Sequence, residues 1–303
     1  MIKTIAAIDL GTNTLNTIVA NQTLNEIEII EENYQIIRLG VGIAESKSIS
    51  NNAIERCIKG FGIIADILKK NKVTIIKCTA TSALRDAKNG NEIIDLIFEK
   101  FQIKIDVISG IKEARLITKA TLNEFNLNSK LTLIFDIGGG STELIYLEYN
   151  NIINIESLNI GSTRCTDAYL KTDPVMNYEL EKLENHIDNQ LNQILLFKVN
   201  LAIGIAGTVT TLSAVKQGLE PYNSDLIHKY KLSLKDIKDT KNLFLKNQIS
   251  DRKKIKGLAP KQAEVILAGN IICEKIMKKY AIKEILVSDR GLRWGLLYEM
   301  LEN

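Results

Sequence analysis

Leu131-Thr132-Leu133-Ile134-Phe135-Asp136-Ile137-Gly138-Gly139-Gly140-Ser141-Thr142-Glu143-Leu144-Ile145-Tyr146-Leu147-Glu148 is the stretch on which the fold turns. Leu131 to Asp136 reads as a buried strand, Gly138 to Thr142 reverses the chain through glycines and hydroxyls, and Glu143 to Glu148 runs back as a second strand. Ile152 to Asn159 alternates and adds a third. The same order stands near the N-terminus: Ile5 to Asp9, the turn Gly11-Thr12-Asn13-Thr14, an apolar run from Leu15 to Ala20, and an alternating run from Ile27 to Ile37. Each set closes on a similar tripeptide, Arg38-Leu39-Gly40 and Asn159-Ile160-Gly161. We read the repetition as an internal duplication.

Working outward, a helix-period segment runs from Asn52 to Lys69, followed by a strand at Val73 to Cys78, a helix around Glu92 to Phe101 and a strand at Ile103 to Ile108. Beyond the second copy come a long helix from Asn177 to Phe197, a strand at Asn200 to Ile205 and the loop Gly207-Thr208-Val209-Thr210. Helices around Leu234 to Lys246 and Gln262 to Lys279, a short strand at Ile285 to Ser288 and a closing helix from Gly291 to Leu301 complete the chain. Strands alternating with helices predict sheets covered on their faces. With 303 residues, two α/β domains are expected. Their bounds are 1–119 and 120–303, with the closing helix free to pack back on the first.

Composition excludes several classes. A net charge of +3 argues against a general affinity for nucleic acid or for an anionic membrane. The apolar stretch around Ile5 to Leu10 is short and interrupted by Asp9, so neither a signal peptide nor a spanning helix is expected, and the protein is placed in the cytoplasm. Cys57, Cys78, Cys165 and Cys273 are widely spaced, and only His186 and His228 could join them on a metal. They read as buried small hydrophobes.

A strand that ends in aspartate and turns through glycine and hydroxyl residues points several backbone N–H groups and a Ser or Thr side chain into one concavity, which suits a phosphate. The carboxylate would repel that phosphate unless a divalent cation stood between them. Asp9 and Asp136 are therefore candidate Mg²⁺-associated groups, acting through water. Between the copies, Thr79 to Ala87 places hydroxyls and Arg85 directly after a strand, where α/β sheets bind ligands. From local sequence alone, a helix cap by Thr81 or Ser82 with a solvated Arg85 stands beside that reading. Glu113 falls in the first turns of the helix after Ser109-Gly110, where it could complement the helix dipole or serve as a general base. Gly207 and Thr208 form a third loop after a buried strand. Eight arginines among 39 basic residues is a low share. Arg38, Arg85, Arg115, Arg164, Arg290 and Arg293 stand beside turns or strand ends, as planar bidentate anion recognition would place them.

These motifs together resemble the exopolyphosphatase and guanosine pentaphosphate phosphohydrolase (Ppx/GppA) family, in its short two-domain form, a branch of the actin, sugar kinase and heat-shock chaperone ATPase superfamily. The resemblance covers essentially the whole chain. It rests on Ala7 to Thr14, Thr79 to Ala87, Ile108 to Ile117, Asp136 to Glu143, Gly204 to Thr211 and Ser288 to Gly295. It implies two actin-like (ribonuclease H-like) α/β domains with a cleft between them, and hydrolysis of the terminal phosphate of inorganic polyphosphate or of guanosine pentaphosphate with Mg²⁺. Residue by residue, it implies Glu113 as the catalytic carboxylate, Arg85 on the substrate side, and Glu143 as a further acid that helps hold metal and water. Asp9, Asp136 and Glu143 are then the metal-associated set. Gly11, Thr12, Asn13 and Thr14 form the first phosphate loop, Gly138, Gly139, Gly140, Ser141 and Thr142 the second, and Gly207 and Thr208 the third wall. A homodimer is raised by resemblance only.

The chain departs from the family pattern in three places. Thr12 and Thr14 stand where serine is usual, Lys112 replaces the first of two commonly adjacent glutamates, and the chain ends at Asn303, as in short members without a helical C-terminal extension. Two other functions remain open at this point: a sugar or acid kinase of the same superfamily, and a polyphosphate or alarmone sensor that binds without hydrolysis. The basic run Arg252-Lys253-Lys254-Ile255-Lys256, with Lys261, reads as a solvated surface in preference to an exit path for a polyanion.

Overall fold

An apolar strand can be buried on both faces only where its neighbours are strands and its faces are covered, and both aspartate-ended strands meet this condition. The computed structural model describes residues 3–23, 27–127 and 129–302. The chain divides into two compact units: Met1–Asn123 with Gly291–Asn303, and Glu124–Arg290.

The first unit holds β1 (Lys3–Leu10), β2 (Thr14–Gln22), β3 (Ile27–Ile36), β4 (Ile75–Ala80) and β5 (Ile105–Val107), in the sheet order β3-β2-β1-β4-β5. β1, β2 and β3 form an antiparallel meander, β4 runs parallel to β1, and β5 parallel to β4. The second unit holds β6 (Leu131–Ile137), β7 (Thr142–Glu148), β8 (Asn151–Leu158), β9 (Leu201–Ile205), β10 (Lys231–Ser233) and β11 (Glu284–Ser288), in the order β10-β11-β9-β6-β7-β8. Read from β8, this is the same meander followed by the same two parallel strands, with β10 added antiparallel at the edge.

The duplication is exact in register. Asp9 and Asp136, Gly11 and Gly138, Thr14 and Ser141, and Asn16 and Glu143 each lie 127 positions apart. In each copy the second strand shifts register against the third, between Val19 and Ala20 and again between Tyr146 and Leu147, the same 127 positions on. A bulge conserved at this offset shows that the copies share local geometry as well as strand order.

In the first unit, Ala6, Ile8 and Leu10 of β1 bury against Ala53, Cys57, Phe61 and Ile64 of the helix Asn51–Lys70. That helix starts where Ser50 accepts a hydrogen bond from the Ala53 N–H at 3.4 Å. The helix Leu292–Leu301 packs on β1 and β2. Its ends are tied by the pairs Arg293–Glu32, at 2.7 Å, and Lys77–Glu299. In the second unit, Leu133, Phe135, Leu144 and Tyr146 share a core with Leu183 and Ile187, Val209 and Leu212, and Ile271 and Ile272, contributed by three helices.

Several elements differ from the sequence reading. The helix expected to reach Phe197 ends at Asn192, because of the apolar run after it only Ile194 and Phe197 find the core, while Leu195 and Leu196 are 67% and 64% exposed. The helix Ser162–Tyr169 buries Ser162, Thr163 and Cys165, a face too polar to register as apolar periodicity. Arg252 is not part of a solvated basic run. It is buried, and its guanidinium donates to the carbonyls of Phe244 at 2.8 Å and Asn247 at 3.0 Å. Lys253, Lys254 and Lys256 are exposed. All four cysteines are buried and unpaired, and burial pushes the Cys165 thiol up to about 11. Among the described residues, no helix is long and apolar enough to cross a membrane.

Candidate active site

At the carboxyl end of β1, the turn from Gly11 to Asn13 is closed by the Gly11 N–H donating to the Thr14 carbonyl at 2.8 Å. The second copy repeats this bond, from the Gly138 N–H to the Ser141 carbonyl at 3.0 Å. Each turn is then braced by the segment that closes its meander. The Gly40 N–H donates to the Thr12 carbonyl at 2.9 Å, and the Ile37 and Arg38 N–H groups share the Asn13 carbonyl. In the second copy the Ser162 N–H reaches the Gly138 carbonyl at 2.9 Å and the Thr163 and Arg164 N–H groups reach Gly139, while Arg164 Nε donates to Gly140 at 2.6 Å. The repeated tripeptides therefore have a physical role: their glycines let a second backbone lie against the turn. A side chain at Gly40 would meet the Thr12 methyl, so the methyl that threonine adds over serine fills the space Gly40 leaves.

Asp9 stands opposite Asn16 on β2, whose Nδ2 donates to Asp9 Oδ2 at 3.4 Å and to Thr14 Oγ1 at 3.2 Å. Asp136 stands opposite Glu143, and Glu143 Oε1 accepts from Ser157 Oγ at 2.8 Å. Both are buried, so the second copy sets two carboxylates side by side where the first has a carboxylate and an amide. Thr142 is turned from the loop: its hydroxyl donates to the Ile160 carbonyl at 2.6 Å. Thr208 lies in the first turn of the helix Ala206–Gln217, at the end of β9, and β9 pairs Ile205 with Asp136.

Within the first unit, Arg85 and Glu113 come together. The short helix Ser82–Asp86 follows β4, and the helix Gly110–Glu124 follows β5. The Ile108 N–H donates to the Ala80 carbonyl at 2.9 Å and aligns the two strand ends. Arg85 Nη1 donates to the Ile108 carbonyl at 2.8 Å and lies 3.9 Å from Glu113 Oε2. Glu113 is 8% exposed, whereas Lys112 and Arg115 face outward. A carboxylate that only complemented a helix dipole would have no reason to be buried. Of the other arginines, Arg290 pairs with Glu124 and Arg293 with Glu32.

Among the described residues, no three His, Cys, Asp or Glu side chains converge on one metal position. Mg²⁺ held through its own waters needs fewer protein ligands. Asp9 fits such a cation: its Oδ1 is buried without a hydrogen-bond partner. Desolvation pushes its carboxyl up to about 6, against the Asn16 hydrogen bond and the charge of Arg293. Since this lies above the value of 3.8 for a free side chain, the fold favours the protonated form. That contribution is complete below about pH 4 and is lost as pH rises through about 6. Without divalent cations, Asp9→Asn should therefore be more stable than wild type at pH 7.5, by up to about 3 kcal/mol, and equal to it at pH 4. Thermal melts at the two pH values, with and without Mg²⁺, measure this.

Two copies of one sheet, each with an aspartate-ended strand and a glycine–hydroxyl turn, define an actin-like α/β protein built by duplication. The profile of the Ppx/GppA phosphatase family matches residues 17–303, and the chain belongs to that family, within the hydrolases. It is 36% identical to a bifunctional 3-dehydroquinate synthase/phosphatase of Fusobacterium nucleatum over 98% of this chain, but spans only 46% of that relative's length. A guanosine-5'-triphosphate,3'-diphosphate pyrophosphatase of Pseudoalteromonas atlantica is 26% identical over 98% of this chain and 58% of its own length. The crystal structure of an exopolyphosphatase from Cytophaga hutchinsonii superposes with a TM-score of 0.91 at 26% identity, covering 99% of this chain and 98% of that one.

Proposed function

We propose that this chain is an exopolyphosphatase, which removes the terminal phosphate of inorganic polyphosphate by attack of water, with Mg²⁺ and with Glu113 as the base. The observation that carries the reading is the buried Glu113 carboxylate, 3.9 Å from an Arg85 guanidinium that is itself anchored to the Ile108 carbonyl. An anchored arginine suits a terminal phosphoryl group, and a buried carboxylate beside it suits the proton of an attacking water. Within its own unit, each of the turns Gly11–Thr14 and Gly138–Ser141 presents backbone N–H groups of the kind that suit a phosphate. Asp9 in the first unit, and Asp136 with Glu143 in the second, are the residues suited to hold a cation through water, each within its own unit. When bound, the cation offsets charge on the phosphoryl oxygens and favours departure of the remaining chain.

The choice of polyphosphate is supported by the exopolyphosphatase matched over 98% of its length, against 58% for the guanosine-directed relative. Guanosine pentaphosphate hydrolysis is the second reading, since the same loops and the same base would serve its terminal phosphate. Phosphate release measured in parallel from short polyphosphate, long polyphosphate, guanosine pentaphosphate and ATP with Mg²⁺ decides between them. Release chiefly from polyphosphate is the expected result. Release chiefly from the pentaphosphate would establish the second reading, and binding of either without release would make the protein a sensor.

A further inference from the structure

Asn16, Asp9 and Thr79 stand in one row across β2, β1 and β4, with Asp9 paired to Asn16 on one side and to Thr79 on the other. Residues paired across neighbouring strands present their side chains to the same face of the sheet. Asp9 Oδ1, Asn16 Oδ1 and Thr79 Oγ1 are each buried without a hydrogen-bond partner, and Thr79 is 0% exposed. Buried polar atoms are almost always paired, so three orphans on three adjoining strands call for one shared explanation. The chemistry of the set narrows it. Carboxylate and amide oxygens only accept, and a hydroxyl can do either, so what satisfies the row must donate hydrogen bonds or carry positive charge. A phosphate, itself an acceptor, does not. A hydrated divalent cation does, because its oxygen-seeking centre and its waters meet both demands.

The second copy shows that the fold itself does not require these groups. Beside Asp136, the place of Asn16 is taken by Glu143 and the place of Thr79 by Ile205. A hydroxyl that only completed the sheet would be dispensable in the first copy as it is in the second. Arg293 bears on Asp9 electrostatically, but its guanidinium is paired with Glu32 at 2.7 Å, which offsets its charge at the row.

We propose that Asn16 and Thr79 are positioning residues, which fix through water the hydrated Mg²⁺ associated with Asp9. The proposal rests on the Mg²⁺ reading of Asp9 given above. Calorimetric titration of Mg²⁺ into the full chain at pH 8, without substrate, tests it with Thr79→Val, Thr79→Ser and Asp9→Asn. Valine keeps the shape of threonine without its hydroxyl, so Thr79→Val should weaken Mg²⁺ by about 10-fold, and Thr79→Ser should return affinity to within about twofold of wild type. The metal-free melting temperature of Thr79→Val should be unchanged or raised, because an unsatisfied hydroxyl has been removed. Wild-type affinity in Thr79→Val alongside a loss in Asp9→Asn would overturn the role of Thr79 alone. Failure of serine to rescue would also overturn it, and wild-type affinity in Asp9→Asn would remove the Mg²⁺ reading together with it.

Discussion

Replacing Glu113 by glutamine should lower phosphate release from polyphosphate by about 10²–10⁴-fold, the usual contribution of a positioned general base. Substrate affinity should stay close to that of the wild type. Glutamine keeps the size of the side chain and its place at the start of the helix Gly110–Glu124, but cannot take a proton from water. Affinity is read by equilibrium binding of polyphosphate and turnover by single-turnover phosphate release, so the two effects separate. If affinity and turnover fell together, Glu113 would be acting as the partner that holds Arg85, 3.9 Å away, and the base would have to be sought elsewhere.

Gly161→Ala should cost turnover about 100-fold although residue 161 carries no chemistry, since a displacement of about 1 Å in a positioning group is enough for that. The methyl group would stand 2.6 Å from the backbone of Gly139 and Gly140 in the turn Gly138–Ser141, to which the proposal gives a phosphate. Backbone cannot rotate away as a side chain can, so the turn or the helix Ser162–Tyr169 must shift. The backbone at Gly161 is extended, with φ −155° and ψ 160°, so any residue could adopt it. Space alone demands glycine there. The counterpart Gly40→Ala should be milder, because its new methyl meets the Thr12 side chain, which can change rotamer. A further replacement of Thr12 by Ser should then recover most of the Gly40→Ala loss. Steady-state kinetics and melting temperatures of the three variants measure this order, and a Gly161→Ala enzyme with wild-type kinetics would show that the turn tolerates displacement.

Much of this was legible along the chain. Apolar runs ending at Asp9 and Asp136, each followed by glycine and hydroxyls, identify strand, turn and returning strand, because a buried strand and a tight turn have opposite residue requirements. Repetition of that order, and of the closing tripeptide, marks the duplication. Arg85 stood out as an arginine in a lysine-rich chain, while Glu113, which could as well have complemented the dipole of its helix, was singled out by the resemblance of Ile108 to Ile117 to the family motif. Asn16 and Thr79 were not, since a polar residue inside a strand carries no sign of whether its side chain finds a partner. The end of the helix at Asn192 was equally hidden, because Ile194 to Phe197 continues an apolar pattern, and only packing determines that two of those four side chains remain outside.

The amino-acid sequence by itself therefore determined the elements, their duplicated order and the kind of chemistry their loops suit, all of which follow from local periodicity and turn composition. Tertiary structure decided what depends on register and on approach between distant segments. It set Asp9 between Asn16 and Thr79, anchored Arg85 to the Ile108 carbonyl beside Glu113, and withdrew Arg252 from the surface into a cage of carbonyls. The physical reason is that burial and hydrogen-bond satisfaction belong to pairs of groups, and the partners here lie tens of residues apart.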